Sequence, residues 1–475
     1  MATNSSDKRL VHLNEVTVAM VPWPEHGHLN LLFYLARIIA SHNIPVHFLC
    51  LAARNQDLRK RLQGGLQLQT SIENLGDSNI HFNDLLVPSS PTETKDVFLE
   101  RLGEFISRTC HELSTNTKRL VIIHDCLMIS YIGDHLHLMS NFKCYAFHPT
   151  SAFTRYSSLR QTIHIVDEDH DEMIQQLGEE FPTVESTFGP NMAEHVEKEL
   201  KWKHNSGDII NSCRELEGKF IDSLAKAKDN TPLWAFGPFN MLPESLDHSL
   251  SNSSSGNKKT SHKCLEFLDK QDVNSVIFVS FGTTTTLSQK QVKELALGLE
   301  QSNHKFIWVI READKRVDME NTEERHEKIV LPEGFEERVE GRGMVVRSWA
   351  PQLEILGHPS TGGFLSHCGW NSSMESISMG VPMAAMPMTV DQPYHTLLVT
   401  NVWKIGVSVW SWARRKEIVP ASAIEKAVKT LMGTPEGEEM RQRVVELRDN
   451  IKNSVSHGGL AHKEMESFIS YITKN

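Results

Sequence analysis

The sequence predicts an α/β protein made of two doubly wound parallel sheets. Apolar, strand-like runs alternate with helical patterns twice along the chain, and a stretch rich in Ser and Asn at 249–257 separates the two series. Such alternation is typical of a parallel sheet with helices on both faces. A chain of 475 residues is long enough for several domains at roughly 150 residues each.

The first series comes before the Ser/Asn-rich stretch. Its strand candidates are short apolar runs rich in β-branched residues, and its helix candidates carry apolar residues at helical spacing. We predict strands over 16–22, 45–51, 120–124 and 143–147, and helices over 29–41 and 128–139.

The second series follows the same rule. Thr434 directly before Pro435 is a good N-cap for a helix, with proline at its first position. We predict strands over 275–281, 306–310, 344–349, 363–366 and 382–386, and helices over 288–301, 435–455 and 460–473.

Composition excludes several classes of protein. The net charge of −11 argues against nucleic acid or an anionic membrane as the main partner. Seven cysteines occur without any CxxC pair, which disfavours a disulfide framework and a structural zinc site and favours a reducing compartment. Residues 1–13 carry no apolar core of a secretory signal, and the longest apolar stretch, 29–40, is too short to span a bilayer. We expect a cytoplasmic protein.

The segment 349–392 carries the most chemical information. It reads WAPQLEILGHPSTGGFLSHCGWNSSMESISMGVPMAAMPMTVDQ. His367 ends a predicted strand, and Asn371 and Ser372 open the next helix, where free N–H groups and the helix dipole favour an anion. These features predict a diphosphate site that needs no metal. Trp349 offers a flat face for a base, and Glu375 can accept hydrogen bonds from ribose hydroxyls.

This segment resembles the signature box of the plant UDP-dependent glycosyltransferases of secondary metabolism, and the order of flanking segments resembles that family over nearly the whole chain. The resemblance implies the GT-B fold, two facing Rossmann-like domains with a cleft between them. It also implies a UDP-sugar donor, a small hydroxylated acceptor and no metal. By the same resemblance the donor-binding residues are Thr283, Trp349, Ala350, Gln352, His367, Trp370, Asn371, Ser372, Glu375, Asp391 and Gln392.

Within that set, the resemblance assigns distinct roles to groups of residues. Trp349 stacks on uracil, and Gln352 and Glu375 bind the rest of the uridine. His367, Asn371 and Ser372 hold the diphosphate, with Thr283 as a further contact after the strand 275–281. Trp370, Asp391 and Gln392 face the sugar.

The family resemblance also implies a catalytic pair. His28, in the loop after the first strand, matches the general base, and its unperturbed pKa of about 6.5 suits that role. Asp125, at the end of the strand 120–124, matches the aspartate that orients the base. Asp125 can also be a helix N-cap. His26 competes with His28, and the Gly27-His28 order of the motif favours His28.

An acidic run at 165–169 looks like a strand that ends in DxD, a pattern that other sugar transferases use to hold a divalent metal. Acidic runs are more often solvated loops, and the helix N-terminus of the box already serves the diphosphate. We therefore predict no metal and no cofactor, with UDP-glucose as donor substrate.

The resemblance implies the following division of the chain. Residues 1–248 form an acceptor-binding domain, 249–259 a linker, 260–455 a UDP-sugar-binding domain, and 456–475 a final helix that packs back on the first domain. The expected protein is a monomer that transfers sugar with inversion. A UDP-sugar hydrolase or epimerase and a non-catalytic UDP-sugar sensor are the alternatives.

The identities of the sugar donor and of the acceptor are predicted from single residues and short segments. Gln392 favours glucose, with xylose as the rival, because its amide can both donate to and accept from neighbouring hydroxyls. The segments 237–240 and 281–286 and the first loop resemble the zeatin O-glucosyltransferase branch, which implies a cytokinin acceptor. Flavonoids and other phenols remain the alternative. We expect the acceptor pocket in the segments 83–95, 145–162 and 181–192, with Trp23, Phe147 and Phe153 near the ligand.

Overall fold

The computed structural model describes residues 14–64, 79–86, 95–136, 139–165, 167–228, 231–242, 262–283, 285–310 and 329–474. The polar N-terminus at 1–13 and the linker at 249–259 therefore lie outside the described residues. None of the helices in these ranges combines the length and the apolar character needed to cross a membrane.

The first sheet of the described residues has seven strands in the order β3-β2-β1-β4-β5-β6-β7. All its neighbouring strands run parallel. The chain leaves β1 in one direction and β4 in the other, so the topological switch point lies between them. The strands are β1 (Asn14–Val21), β2 (Val46–Leu51), β3 (Ile80–Leu85), β4 (Thr117–Asp125), β5 (Phe142–His148), β6 (Asn205–Ile210) and β7 (Leu233–Ala235).

Helices cover both faces of this sheet, as its mostly buried strands require. In the first helix, Leu29, Leu32, Leu35 and Ile39 are fully buried, and their spacing places them on one face. The helices are α1 (His26–Ser41), α2 (Ala52–Gly64), α3 (Lys95–Ser114), α4 (Ile129–Leu136), α5 (Ala152–Ile163), α6 (Glu168–Leu177), α7 (Val184–Phe188), α8 (Met192–Lys201) and α9 (Arg214–Ala227).

The second sheet has six described strands in the order β10-β9-β8-β11-β12-β13, again parallel throughout. Its switch point lies between β8 and β11. The strands are β8 (Val276–Ser280), β9 (Lys305–Val309), β10 (Gly343–Val346), β11 (Thr361–Ser366), β12 (Met383–Ala385) and β13 (Gly406–Ser408).

The helices of the second half begin and end close to the residues expected. Ser288 caps the helix that follows β8, and Thr434 Oγ1 accepts from Gly437 N at 3.2 Å at the start of the helix 435–455. The helices are α10 (Lys263–Leu268), α11 (Gln289–Ser302), α12 (Phe335–Arg338), α13 (Gln352–Leu356), α14 (Trp370–Met379), α15 (Gln392–Leu397), α16 (Ala421–Gly433), α17 (Pro435–Val455) and α18 (Leu460–Lys474).

The α/β fold class is confirmed, and every predicted strand is present with shifted ends. Four strands were not predicted: the sheet-edge strand β3, the Gly-containing strand β6, and the three-residue strands β7 and β13. Helix α1 begins at His26, three residues before the predicted start, so His28 lies in the first helical turn and not in a loop.

Contacts between the two halves come from side chains at the cleft and from the last helix. Trp370 Nε1 donates to Asn211 O at 2.9 Å, and Trp403 Nε1 donates to Leu216 O at 3.0 Å. The final helix α18 packs beside β7, where the rings of Phe468 and Trp234 lie 5.2 Å apart. The second sheet therefore lies against the first with its switch point facing the cleft.

Candidate active site

A cavity of about 520 Å³ opens where the carboxyl ends of β1 and β4 approach those of β8 and β11. Ligands of doubly wound sheets bind at such switch points. A larger cavity of about 660 Å³ between α6, α9 and residues 400–404 contains none of the residues singled out from the sequence. The 520 Å³ cavity is lined by His28, Thr283, Trp349, Ala350, Gln352, His367, Trp370, Asn371, Ser372, Glu375, Asp391 and Gln392.

Among the predicted catalytic and donor-binding residues, Asp125 alone does not line the cavity, because it lies behind His28. Asp125 Oδ2 is 2.7 Å from His28 Nδ1, and Asp125 is fully buried. Its other oxygen, Oδ1, accepts from Leu127 N at 3.0 Å and caps the short 3₁₀ helix Cys126–Met128. A carboxylate only accepts hydrogen bonds, so Nδ1 of His28 carries the proton and Nε2 is the free nitrogen.

The surroundings of His28 alter its basicity. Burial on its own lowers the pKa of the imidazole, but Asp125 raises it through charge and hydrogen bonding, and Glu25 and Asp391 add to that effect. The net result is a pKa above 6.5. His28 therefore binds a proton more strongly than a free histidine near neutral pH, which favours proton uptake during a reaction.

His26, the competing histidine, is 8% exposed, whereas the His28 side chain is 26% exposed. His124, next to Asp125, is fully buried with its ring edge-on to Trp202 at 5.8 Å. The carboxylate of Asp125 is therefore joined to His28, whereas His124 Nδ1 lies 2.9 Å from the backbone oxygen of Asp125.

Two turns that contain glycine bring the backbone close to one point. A Cβ atom on Gly282 would lie 2.7 Å from His367 Nε2, and one on Gly369 would lie 2.5 Å from the same atom. Gly282 also has a φ of +75°, which other residues rarely adopt. Burial lowers the pKa of His367 to about 4, so this imidazole is neutral near pH 7.

Helix α14 points its N-terminus into the same region of the cavity. Its first three residues, Trp370, Asn371 and Ser372, follow Gly369 directly, so the free N–H groups of the first turn lie beside His367, whereas Ser373 N donates to Gly369 O at 3.0 Å. Asn371 Nδ2 donates to Gly27 O at 2.9 Å and links this turn to the start of α1. Such a helix terminus can stabilise an anion.

A buried polar group lies one turn further along α14. Gln352 Nε2 donates to Glu375 Oε2 at 2.6 Å and to Ser372 Oγ at 3.0 Å. Burial raises the pKa of Glu375 to about 7, although the hydrogen bond from Gln352 acts in the opposite direction. Close by, the Trp349 side chain is 52% exposed, so its ring is free to stack on a flat ligand.

The end of the segment 349–392 contacts the first half of the chain. Thr150 Oγ1 donates to Asp391 Oδ2 at 2.8 Å. Gln392 Oε1 accepts from Met388 N and Thr389 N, which leaves the amide nitrogen as the group able to reach a ligand. Trp370 is 3% exposed and its indole N–H is engaged by Asn211, so any contact it makes with a sugar is through its backbone.

Comparison with known proteins agrees with this geometry. Residues 14–241 match the model of the glycosyltransferase N-terminal domain, and residues 221–444 match the model of UDP-glucoronosyl and UDP-glucosyl transferase. The chain is 41% identical to the zeatin O-glucosyltransferase of Phaseolus lunatus, with 100% of both chains covered. The chain belongs to the UDP-glycosyltransferase family.

Two further relatives extend the comparison. The zeatin O-xylosyltransferase of Phaseolus vulgaris is 40% identical, with 97% of this chain and 98% of the relative covered. A transferase from Siraitia grosvenorii, solved in complex with UDP, has a TM-score of 0.73 and 28% identity, over 97% of this chain and 100% of that one. This UDP-glycosyltransferase therefore has the GT-B fold.

The acidic run of the UDP-glycosyltransferase, which the sequence favours as a solvated loop over a DxD strand, starts a helix. Asp167 caps α6 by accepting from His170 N at 3.1 Å, and the residues after it are helical. Asp167 Oδ2 also accepts from Tyr156 Oη at 2.6 Å. The run therefore starts a helix and is not the end of a DxD strand.

One buried group among the described residues has the composition of a metal site: His148, Glu199 and Asp208. Lys228 Nζ lies 3.3 Å from Glu199 Oε1 and 2.5 Å from Asp208 Oδ2, and Arg155 Nη2 lies 2.5 Å from Glu199 Oε1. These two cations already neutralise both carboxylates, so the donor set does not fit a divalent ion.

Two of the three aromatic residues named for the acceptor pocket belong to the core, which is the alternative that the sequence leaves open for them. Phe147 and Phe153 are fully buried, the first stacked on Phe239 and the second against Phe220. Phe147 lies on β5, which helices cover on both faces, and Phe153 is a buried residue of α5. Trp23 does line the cavity.

Two of the three segments expected at the acceptor pocket do line the cavity, whereas residues 87–94 of the third lie outside the described residues. Sequence reasoning missed the polar residues of this wall, because each one looks like an ordinary strand end or helix surface. They are His148, Thr150, Arg155 and Ser158 in the segment 145–162, and His195 and Glu199 on α8 beyond the segment 181–192.

Proposed function

We propose that this UDP-glycosyltransferase transfers glucose from UDP-glucose, with inversion, to a hydroxyl of a cytokinin-like acceptor such as zeatin. The observation that carries the mechanism is the 2.7 Å contact between His28 Nδ1 and Asp125 Oδ2 at the wall of the cavity. The first half of the chain binds the acceptor and the second half binds the UDP-sugar.

The proposed reaction is a single in-line displacement. The acceptor oxygen attacks the anomeric carbon while His28 Nε2 takes the hydroxyl proton, and the bond from that carbon to the diphosphate oxygen breaks. Asp125 holds the tautomer that leaves Nε2 free and stabilises the imidazolium that forms. UDP leaves with the electron pair of the broken bond.

The donor-binding residues support departure of the diphosphate. We assign the diphosphate to the N-terminus of α14, with Asn371, Ser372, His367 and Thr283 around it, since N–H donors at a helix start stabilise developing negative charge. No protein-bound metal or cofactor is required by this assignment.

The uridine and the sugar lie on either side of the diphosphate in this proposal. Trp349 stacks on the base next to Ala350, and Glu375 and Gln352 accept from and donate to the ribose. The amide nitrogen of Gln392 and the carboxylate of Asp391 bind the sugar hydroxyls, with Trp370 beside them.

The choice of sugar rests on Gln392 and Asp391. Relatives that carry the names of a glucosyl- and a xylosyltransferase are 41% and 40% identical to this chain, so overall identity does not separate the two donors. We favour UDP-glucose because a donor amide beside a carboxylate matches adjacent sugar hydroxyls. Competition between the two donors in one reaction tests this choice.

The acceptor is proposed from the relatives and from the cavity. Both relatives are named for zeatin, a planar heterocycle with one primary hydroxyl on a flexible arm. Trp23, Leu127, Phe188, Met192 and Val196 form apolar parts of the wall, which suits a flat ligand body. Flavonoids are the alternative acceptors.

Release of UDP from UDP-glucose, with and without an acceptor, tests the proposal. The acceptors are trans-zeatin, cis-zeatin and a set of flavonoids, and mass spectrometry identifies the product. We expect release to depend on the acceptor and to yield a zeatin O-glucoside. Release that ignores the acceptor indicates a hydrolase or epimerase, and UDP-glucose binding without release indicates a sensor. Glucosylation of flavonoids alone would move the protein out of the cytokinin branch.

We also propose a cytoplasmic, monomeric enzyme. All seven cysteines are free, and six of them are buried, which suits a reducing compartment. The proposed catalytic pair and the whole cavity wall come from one chain. Light scattering of the purified protein and imaging of a fluorescent fusion test these two points.

A further inference from the structure

The wall of the cavity on the side of α5 and α8 contains a buried network of charged side chains. Arg155 Nη2 donates to Glu199 Oε1 at 2.5 Å, and Lys228 Nζ contacts both Glu199 Oε1 and Asp208 Oδ2. His148 Nε2 lies 3.4 Å from Asp208 Oδ1. His148, Arg155 and Glu199 line the cavity into which His28 opens.

The charges of this network balance. Burial by itself raises the pKa of Glu199, but Arg155 and Lys228 bring it below its usual value, and Lys228 has the same effect on Asp208. Two carboxylates therefore face two cations. A charged acceptor would gain no net attraction here, because each of its attractions is offset by a repulsion.

Several polar atoms of the network lack a partner. Arg155 Nη1 and Glu199 Oε2 take part in none of the hydrogen bonds found among the described residues. Arg155 Nε and both ring nitrogens of His148 are closed off inside the protein, whereas Nη1 and Oε2 are not, so these two atoms are the polar groups of the network that open to the cavity. Polar atoms in a mostly buried wall nearly always have partners, and a ligand that carries both a hydrogen-bond acceptor and a donor would supply them.

We propose that Arg155 and Glu199 form a polar subsite that binds the ring nitrogens of a neutral nitrogen heteroaromatic acceptor and so determines acceptor preference. The inference rests on the proposed function, since it takes this cavity as the acceptor site. The adjacent hydrogen-bond donors and acceptors of these side chains complement the donors and acceptors along the edge of an aminopurine ring. An all-carbon phenolic ring offers no such edge and would leave the polar groups without partners.

The test compares acceptors that differ only in ring nitrogens. The first pair is trans-zeatin and its analogue with CH groups in place of the ring nitrogens, and the second is 6-hydroxyquinoline and 2-naphthol. The readout is the ratio of kcat/KM for the nitrogen-containing acceptor to kcat/KM for its carbocyclic partner. A loss of activity from general damage to the fold lowers both values and leaves this ratio unchanged.

Two substitutions of the subsite and one control complete the design. Glu199→Gln keeps the size of the side chain and removes its charge, and Arg155→Lys keeps the positive charge and removes the Nη1 group. Met192→Leu changes an apolar part of the same wall with nearly constant volume. Melting temperature and UDP-glucose binding show whether each variant is folded, and Arg155→Lys decides the outcome if Glu199→Gln does not fold.

We expect the wild-type ratio to exceed about tenfold, to fall towards one in both subsite variants, and to persist in Met192→Leu. A wild-type ratio near one, or a high ratio that survives both substitutions, overturns the subsite even if zeatin is glucosylated. Transfer to phenols but not to zeatin removes the cytokinin acceptor, and the ratio of hydroxyquinoline to naphthol then decides the subsite. No transfer to any of the four acceptors contradicts the proposed function and the subsite together.

Discussion

Replacing Asp125 by asparagine is expected to lower kcat/KM about 10²- to 10³-fold. Asp125 accepts two hydrogen bonds in a buried position, one from His28 Nδ1 and one from Leu127 N. An asparagine has one oxygen and one NH₂ group, so it can accept only one of the two. The backbone N–H of Leu127 cannot change its role, whereas the imidazole of His28 can change tautomer.

The size of the expected loss in kcat/KM follows from the competition between His28 and Leu127 for the single amide oxygen of the asparagine. Turning the amide oxygen to His28 leaves the Leu127 N–H buried without a partner, which costs about 1–3 kcal/mol. The favoured arrangement therefore places NH₂ against His28 and moves the imidazole proton to Nε2, where it blocks the base. Loss of the negative charge beside the imidazolium adds about 1–1.5 kcal/mol. The sum of about 2–4.5 kcal/mol corresponds to roughly 30- to 2,000-fold at 1.36 kcal/mol per decade, a range that brackets the expected loss of 10²- to 10³-fold.

The assay is acceptor-dependent glucoside formation, with UDP-glucose binding measured separately by calorimetry. Asp167→Asn is the matched control, since Asp167 also accepts one backbone N–H and one side-chain donor but lies away from the cavity. We expect kcat/KM of the control within about twofold of wild type. A loss below tenfold in Asp125→Asn, with donor binding intact, would refute the tautomer argument.

Three further predictions concern the donor site. Affinity for UDP-glucose, measured by calorimetry, should rise about tenfold from pH 6 to 8, because the pKa of Glu375 is about 7 and ribose hydroxyls donate to the ionised carboxylate. The variant Glu375→Gln should show no such dependence of affinity on pH. Trp349→Ala should raise the Kd for UDP-glucose by about 5- to 150-fold, the range expected for one stacked base. Gly282→Ala should weaken UDP-glucose binding at least tenfold, because a Cβ there lies 2.7 Å from His367 Nε2; the same titration measures it.

Each of these predictions has a control in the chain or in the ligand. UDP-glucose is used because its diphosphate does not titrate between pH 6 and 8, so a flat wild-type profile would count against Glu375. Trp410→Ala alters a tryptophan beside another cavity and should leave the Kd unchanged. Gly341→Ala is the control for backbone strain, since it places an alanine at a φ of +79° with no atom near its Cβ. If it weakens UDP-glucose binding as much as Gly282→Ala does, the loss comes from backbone strain and not from the contact with His367.

The motifs near the switch points could be predicted because each is short and local. His28 and Asp125 come at the carboxyl ends of β1 and β4, and these strands are neighbours in the sheet. Gly282 and His367 follow β8 and β11 in the same way. The alternation of strands and helices along the sequence therefore indicates which side chains meet, once the strands are placed in the order of a doubly wound sheet.

The acceptor side could not be predicted in the same way. Arg155 and Glu199 lie on separate helices, 44 positions apart, and pair only because α5 and α8 pack together. Neither helix carries a motif that sets these residues apart from ordinary surface charges. Phe147 was named near the ligand because its ring could stack on a flat acceptor, but burial under helices on both faces of the sheet places it in the core.

The central claim is a direct displacement in which His28 is the base. Proton NMR of the glucoside formed from UDP-α-glucose, by wild type and by His28→Ala at equal enzyme concentration, tests it most directly. The account predicts a β-linked product from wild type and formation about 10²- to 10⁴-fold slower from His28→Ala, with UDP-glucose binding unchanged. An α-linked product, or a β-linked product formed equally fast without His28, would contradict it.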